Sequence, residues 1–345
     1  MFSEMHCKLS EVTDGKPELL GSTYKETGDL TFMKLIMKDL AKTRVLVREA
    51  PEYFSTRSET LTKSYSERSV NDFLDVMRNL HVVIRTKKET RSGIAAHWKL
   101  TSLGQAWAIF SPEDIALSKY DEIFLLRHLL MIDSHNFGLW LTQLLQTLEG
   151  GGKNIKGVTA EFVLKLSESN CRIGGSAVHK VLPALEWLRS LGLVRSVDST
   201  YILTDSGRTI SSLHPGFFKK GLEEFRETAA LRMVESGVVV RPHAEPYGDL
   251  NDIAFKKSIL SIARSFRQSG MWPAEIPSLR SAYCTQLIAK GVAMSDANFE
   301  AKMIALSKSE YYKFVLIKSS RVTTGYPYTG LRDGDNEYYF FDIIG

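Results

Sequence analysis

The stretch Val181–Ile210, VLPALEWLRSLGLVRSVDSTYILTDSGRTI, decides how the rest of the chain is read. Leu182, Leu185, Leu188 and Leu191 recur at helical spacing. Gly192 follows, the residue type that ends a helix by adopting a left-handed conformation. Leu193 and Val194 begin a short strand, the polar tip Ser196–Ser199 reverses the chain, and Tyr201–Thr204 returns as a second strand. Asp205-Ser206-Gly207 then turns the chain into another helix.

The same order occurs earlier. Val76-Met77-Arg78-Asn79-Leu80-His81-Val82-Val83 matches Trp187-Leu188-Arg189-Ser190-Leu191-Gly192-Leu193-Val194 in register, and Trp98–Gly104 matches Tyr201–Gly207. Two copies of one pattern are far less readily accidental than one. On these residues the chain, over roughly residues 30–212, resembles the winged-helix superfamily. The resemblance implies a mainly α fold of tandem winged-helix modules with small β wings. It also implies a helix that enters a DNA groove beside a flanking hairpin. The tandem arrangement is similar to the recognition halves of some type IIS restriction enzymes and to plasmid replication initiators. That likeness implies a double-stranded DNA partner within a defence, restriction or mobile-element complex, with catalysis on a separate effector chain.

A length of 345 residues suits two or three domains. Apolar content of 43% with 24% charged residues is that of a globular protein, and no apolar run reaches the length of a membrane span. Without a secretion-type N-terminus, the expectation is a cytoplasmic protein with no membrane partner. Cys7, Cys171 and Cys284 lie far apart, with no zinc spacing and no disulfide framework. The net charge of +4 permits nucleic-acid binding, but where the charge sits decides.

Taken in order, residues 1–29 read as a loose arm. Residues 30–115 read as the first module, 116–215 as the second with bridging helices, 216–250 as a linker helix and loop, and 251–345 as a third module. In the first, Ser64 or Ser66 caps a reading helix with buried positions Val70, Phe73, Leu74 and Met77. Its outward candidates are Arg68, Ser69 and Asn71, with Asp72 and Asp75 beside them; arginine and asparagine suit guanine and adenine edges. The wing Arg85–Gly93 carries Arg85, Lys87, Lys88 and Arg91 against one acid, Glu89, so Lys87, Lys88 and Arg91 are candidate phosphate contacts. In the second module Thr159 is the expected cap of the helix before the turn, and Gly175 or Ser176 begins the reading helix. Arg172, Ser176, His179 and Lys180 are its DNA candidates. In the third, Ser319–Asn336 reads as a long tip carrying Arg321 and Arg332, beside Tyr326 and Tyr328.

No catalytic or metal constellation assembles, and no cofactor is expected. His128, His135 and His179 lack partners at ligand spacing, and Gly150-Gly151-Gly152-Lys153 lacks the spaced form of a phosphate loop. Glu161 and Lys165 stand too far apart for a nuclease pair and follow no acidic strand. Besides DNA binding, two other functions are weighed. One is a winged-helix protein-interaction scaffold or transcription regulator, which Asp72 and Asp75 favour; the other is a DNA-processing enzyme with an unrecognised site.

Overall fold

The computed structural model describes residues 18–19, 28–90, 93–131, 144–168, 172–173, 178–211, 251–290, 292, 296–309, 314–318 and 330–344. The protein is mainly helical with three small antiparallel sheets. It divides into two compact units. The first comprises residues 1–101, 112–117 and 129–220, and the second 102–111, 118–128 and 221–345.

In the first unit, α1 (Leu30–Lys42) starts at Asp29, whose carboxylate accepts from Thr31 N at 2.9 Å and Phe32 N at 3.2 Å. That satisfies two of the orphan donors of the first turn. The short strand β2 (Val45–Leu46) leads to α2 (Ala50–Ser58), with Pro51 in its first turn, where a missing N–H costs nothing. Helix α3 (Glu67–Asn79) is capped by Ser66, whose hydroxyl accepts from Ser69 N at 3.3 Å, so of the two expected caps Ser66 serves. Val70, Phe73, Leu74 and Met77 are buried as the spacing predicts. Phe32 stacks on Tyr65 at 4.5 Å and meets Phe73 edge-on at 4.8 Å, which joins α1 to the start of α3.

Strands β3 (Val83–Thr90) and β4 (Gly93–Leu100) then pair antiparallel over eight residue pairs, from Val83↔Leu100 to Thr90↔Gly93, and β2 joins β4 on its other edge. The charged wing is therefore mostly strand. Residues 85–90 lie in β3, and residues 91–92 fall outside the described residues.

The second copy repeats this order. β5 (Lys153–Asn154), α6 (Ile155–Glu168), β6 (Arg172–Ile173), α7 (Val178–Ser190), β7 (Val194–Val197), β8 (Thr200–Leu203) and α8 (Asp205–Ser211) follow in turn, and the sheet runs β5-β8-β7. Thr159 is not the cap of α6. Asn154 accepts from Gly157 N at 2.9 Å, while the Thr159 hydroxyl donates to Ile155 O from inside the helix. Helix α7 is described from Val178; Gly175 and Ser176, the expected starts, lie outside the described residues. The hairpin tip is two residues, Asp198 and Ser199, both at positive φ (47° and 61°), so Ser196 and Val197 belong to β7. This left-handed pair matches the strand twist.

The helix-to-strand junctions of the two copies are superposable in their hydrogen bonds. Val82 N donates to Met77 O and Leu193 N to Leu188 O, each at 2.8 Å, across His81 (φ 56°) and Gly192 (φ 70°). Thr101 and Thr204 each turn a hydroxyl onto the two carbonyls that follow the helix, His81 and Val82 in one copy, Gly192 and Leu193 in the other.

The arm expected to be loose contributes β1 (Glu18–Leu19), which pairs parallel with β6, Glu18 opposite Arg172. The linker helix expected over 217–235 lies outside the described residues.

In the second unit, α4 (Ser102–Phe110) and residues 119–128 of α5 (Lys119–Met131) lie with the C-terminal elements. Trp107 Nε1 donates to buried Asp121 at 2.8 Å, and Phe110 meets Phe266. Ser118 and Asp121 cap α5 reciprocally: Asp121 accepts from Ser118 N and Oγ, and Ser118 Oγ accepts from Asp121 N. Helix α9 (Asp252–Gln268), strand β9 (Ala274–Glu275), helices α10 (Ile276–Ala289) and α11 (Asp296–Ser309) and strand β10 (Phe314–Lys318) follow. β11 (Leu331–Asp333) and β12 (Asn336–Ile343) complete the chain. β12 carries β10 on one edge, and β9 and β11 on the other. The end of the expected tip is thus a strand, turned into β12 at Gly334 (φ 60°). α10 is buried along almost its whole length, including Arg280, which pairs with Glu300 at 3.0 Å.

Candidate nucleic-acid interface

The buried stripe of α3 fixes which side chains point away from the core. Arg68 and Asn71 are exposed, and Asp72, Asp75 and Arg78 continue the same face at three- to four-residue steps, partly exposed. Asn71 donates back to Glu67 O at 3.2 Å. Ser69 is half-buried with its hydroxyl 3.1 Å from Ser66 Oγ, so it belongs to the cap more than to the outward face.

At the other end of that face Asp75 meets two guanidinium groups. Arg78 Nη2 lies 3.3 Å and Arg85 Nη2 3.1 Å from the same carboxylate oxygen. Arg85 also lies over the Trp98 ring at 4.5 Å from its centroid. This cluster joins the reading-helix candidate to the root of the hairpin, because Arg85 stands opposite Trp98 in the β3–β4 register. The spacing Asp75–Arg78 was visible in the sequence; the approach of Arg85 from β3 was not.

Along the hairpin, Arg85, Lys87 and Lys99 are exposed. Lys99 pairs in register with Ile84, itself 43% exposed. Lys88 stands opposite Ala95 in the ladder, and Arg91 lies outside the described residues.

The second copy presents a different face. The outward positions of α7 beyond its first turn are Leu182, Glu186 and Arg189, with Arg189 paired to Glu186. The chain itself approaches this face. A Cβ placed on Gly28 would lie 2.8 Å from Glu186 Cβ and 3.4 Å from Pro183 Cα. Arg172 sits in β6 against β1, and the backbone of His179 and Lys180 forms the first turn of α7; Ser176 is outside the described residues. In the second unit Arg332 is exposed on β11 opposite Glu337, an opposite-charge neighbour across the ladder, and Arg321, Tyr326 and Tyr328 lie outside the described residues. The structure therefore places Arg68, Asn71 and Lys87 on one module, while Arg332 belongs to the other unit.

The first module's frame is firm at the start of α3. Tyr65 donates to Asp29 at 2.8 Å, and burial first, then that carboxylate, raise the phenol's pKa above its ordinary value, so it stays a donor. Among the described residues no group of three or more His, Cys, Asp and Glu is placed to hold a metal, and no helix is long and apolar enough to cross a membrane. No protein family, curated protein or solved structure matches the chain.

Proposed function

We propose that this protein binds double-stranded DNA through winged-helix modules, with α3 of the first module in the major groove and β3–β4 as its wing. The reading is supported by the recurring order of helix, helix, strand and strand, with both three-stranded sheets ordered first strand, third strand, second strand. The observation that carries it is the placement of exposed Arg68 and Asn71 on the outward face of α3, beside a hairpin whose exposed cations include Arg85, Lys87 and Lys99. Arginine and asparagine side chains match guanine and adenine edges, and cations along a strand suit phosphates. An eight-residue strand spans about 27 Å, long enough to follow the backbone beyond the groove.

In this reading Arg68 and Asn71 specify sequence, and the second module positions the protein. The chain is then the recognition part of a larger DNA-directed assembly. The test is a gel-shift titration of the full chain against random duplex at two salt concentrations. Binding should weaken steeply with salt. Replacing Lys87, Lys88 and Arg91 by alanine should weaken it for all sequences and flatten the slope by up to about 0.9 for each phosphate no longer neutralised. Salt-independent binding, or none, refutes the reading.

A second reading, a protein-docking role for the second module, is favoured by its apolar exposure. Val163 and Leu164 on α6 and Leu182 on α7 are exposed, Leu164 by 59%. Alanine replacement of all three leaves DNA affinity unchanged if that face serves a protein.

A further inference from the structure

The outward face of α3 places acids where a DNA-binding helix should repel phosphate, and Asp75 is the one held by two arginines from different elements. We propose that Arg78 and Arg85 form a clamp for one backbone phosphate at the far end of the reading helix, with Asp75 as the positioning residue that aims both guanidinium groups. The proposal rests on the DNA-binding reading above.

Three observations carry it. The first is position. Asp75 follows Arg68 by seven residues, about 10 Å along the helix. The major groove is about 12 Å wide, so with Arg68 at base edges the Asp75 cluster lies at the groove wall, where phosphates run. The second is charge. Two guanidinium groups and one carboxylate leave a net single positive charge, matched to the single negative charge of a phosphodiester.

The third observation is orientation. Both arginines approach one oxygen of Asp75, and the Arg85 guanidinium also lies over Trp98, which is 1% exposed and part of the core. A guanidinium held by a carboxylate and an aromatic face has lost its rotamer freedom before DNA arrives. The side chains of Asp75, Arg78 and Arg85 are 46%, 41% and 44% exposed, so the cluster opens to solvent and can receive a ligand oxygen. An ion pair this exposed contributes little to stability, which leaves alignment as its effect.

The experiment measures anisotropy of a labelled random-sequence duplex with the full-length protein across a salt series. Arg78→Ala and Arg85→Ala should each weaken binding to all sequences and reduce the salt slope by up to about 0.9. Asp75→Ala removes a negative charge, so simple repulsion predicts tighter binding; the clamp predicts binding weaker by about tenfold. Asp75→Asn keeps the shared oxygen acceptor and should bind at least as tightly as the parent. Tighter or unchanged binding by Asp75→Ala, or failure of Asp75→Asn to rescue it, overturns the proposal. Lys87→Ala separates the two levels. If it flattens the slope while both arginine variants leave it intact, the clamp fails alone; if the parent shows no salt-dependent binding, the DNA reading fails and the clamp with it.

Discussion

Replacing Tyr65 by phenylalanine should loosen α1 by an amount that follows from one hydrogen bond. The Tyr65 hydroxyl donates to Asp29 Oδ2 at 2.8 Å, while Asp29 Oδ1 accepts from Thr31 N and Phe32 N. Phenylalanine keeps the ring packed against Phe32 and Phe73 and removes only the hydroxyl. A hydrogen bond to a charged acceptor contributes about 1.5–3 kcal/mol, and the low end applies because Asp29 keeps its two backbone donors. Amide exchange in α1, followed by mass spectrometry on residues 30–42, should therefore quicken about tenfold.

Asp29→Ala removes the cap as well and leaves the Tyr65 hydroxyl without its acceptor, a loss of about 2–3 kcal/mol. The double variant should cost less than the sum of the two, by about the value of the shared bond. The Tyr65 phenol is raised in the folded state, so its contribution is present below the unfolded pKa of about 10 and is lost as pH rises above it. Tyr65→Phe should abolish that alkaline loss. A change in exchange below about twofold, or strict additivity in the cycle, refutes the coupling of α1 to the start of α3.

Gly207→Ala should destabilise the second module by more than about 3 kcal/mol in denaturant titration, since its Cβ would fall 1.9 Å from the backbone oxygen of Leu193, which no rotamer change relieves. Gly28→Val should raise exchange in α7 (residues 178–190), because the added carbons meet Glu186 and Pro183; unchanged protection there means the arm does not seat on that helix. Glu113 is held below the ordinary carboxylate range by its hydrogen bond from Lys42, then by the charge of Lys38. Its contribution is thus present above the unfolded pKa and lost as pH falls. Lys42→Ala should move its NMR titration midpoint upward.

The repeat was legible because each copy is written in local rules. The apolar stripe of α3 and that of α7, the turn at Gly192 and the threonines after β4 and β8 follow from helical spacing and hydrogen bonding over a few residues. His81, which aligns with Gly192, shares its positive φ although it is not glycine. The outward places of Arg68 and Asn71 follow from the same periodicity.

Other features depended on residues distant in sequence. Thr159 and Asn154 are both good caps by type, and the pairing of β5 with β8 decides where α6 begins. Composition names the charged wing but not the length of its strands, which the ladder to β4 sets. An amphipathic stripe on α4 says that Trp107 is buried, not against what; Asp121 and Phe266 settle that in the second unit. The Arg78–Asp75–Arg85 cluster is of the same kind. Periodicity tells which face of an element is covered, because it is a property of one segment's backbone. The partner of that face is chosen by packing and charge between segments, and only the folded chain brings those together.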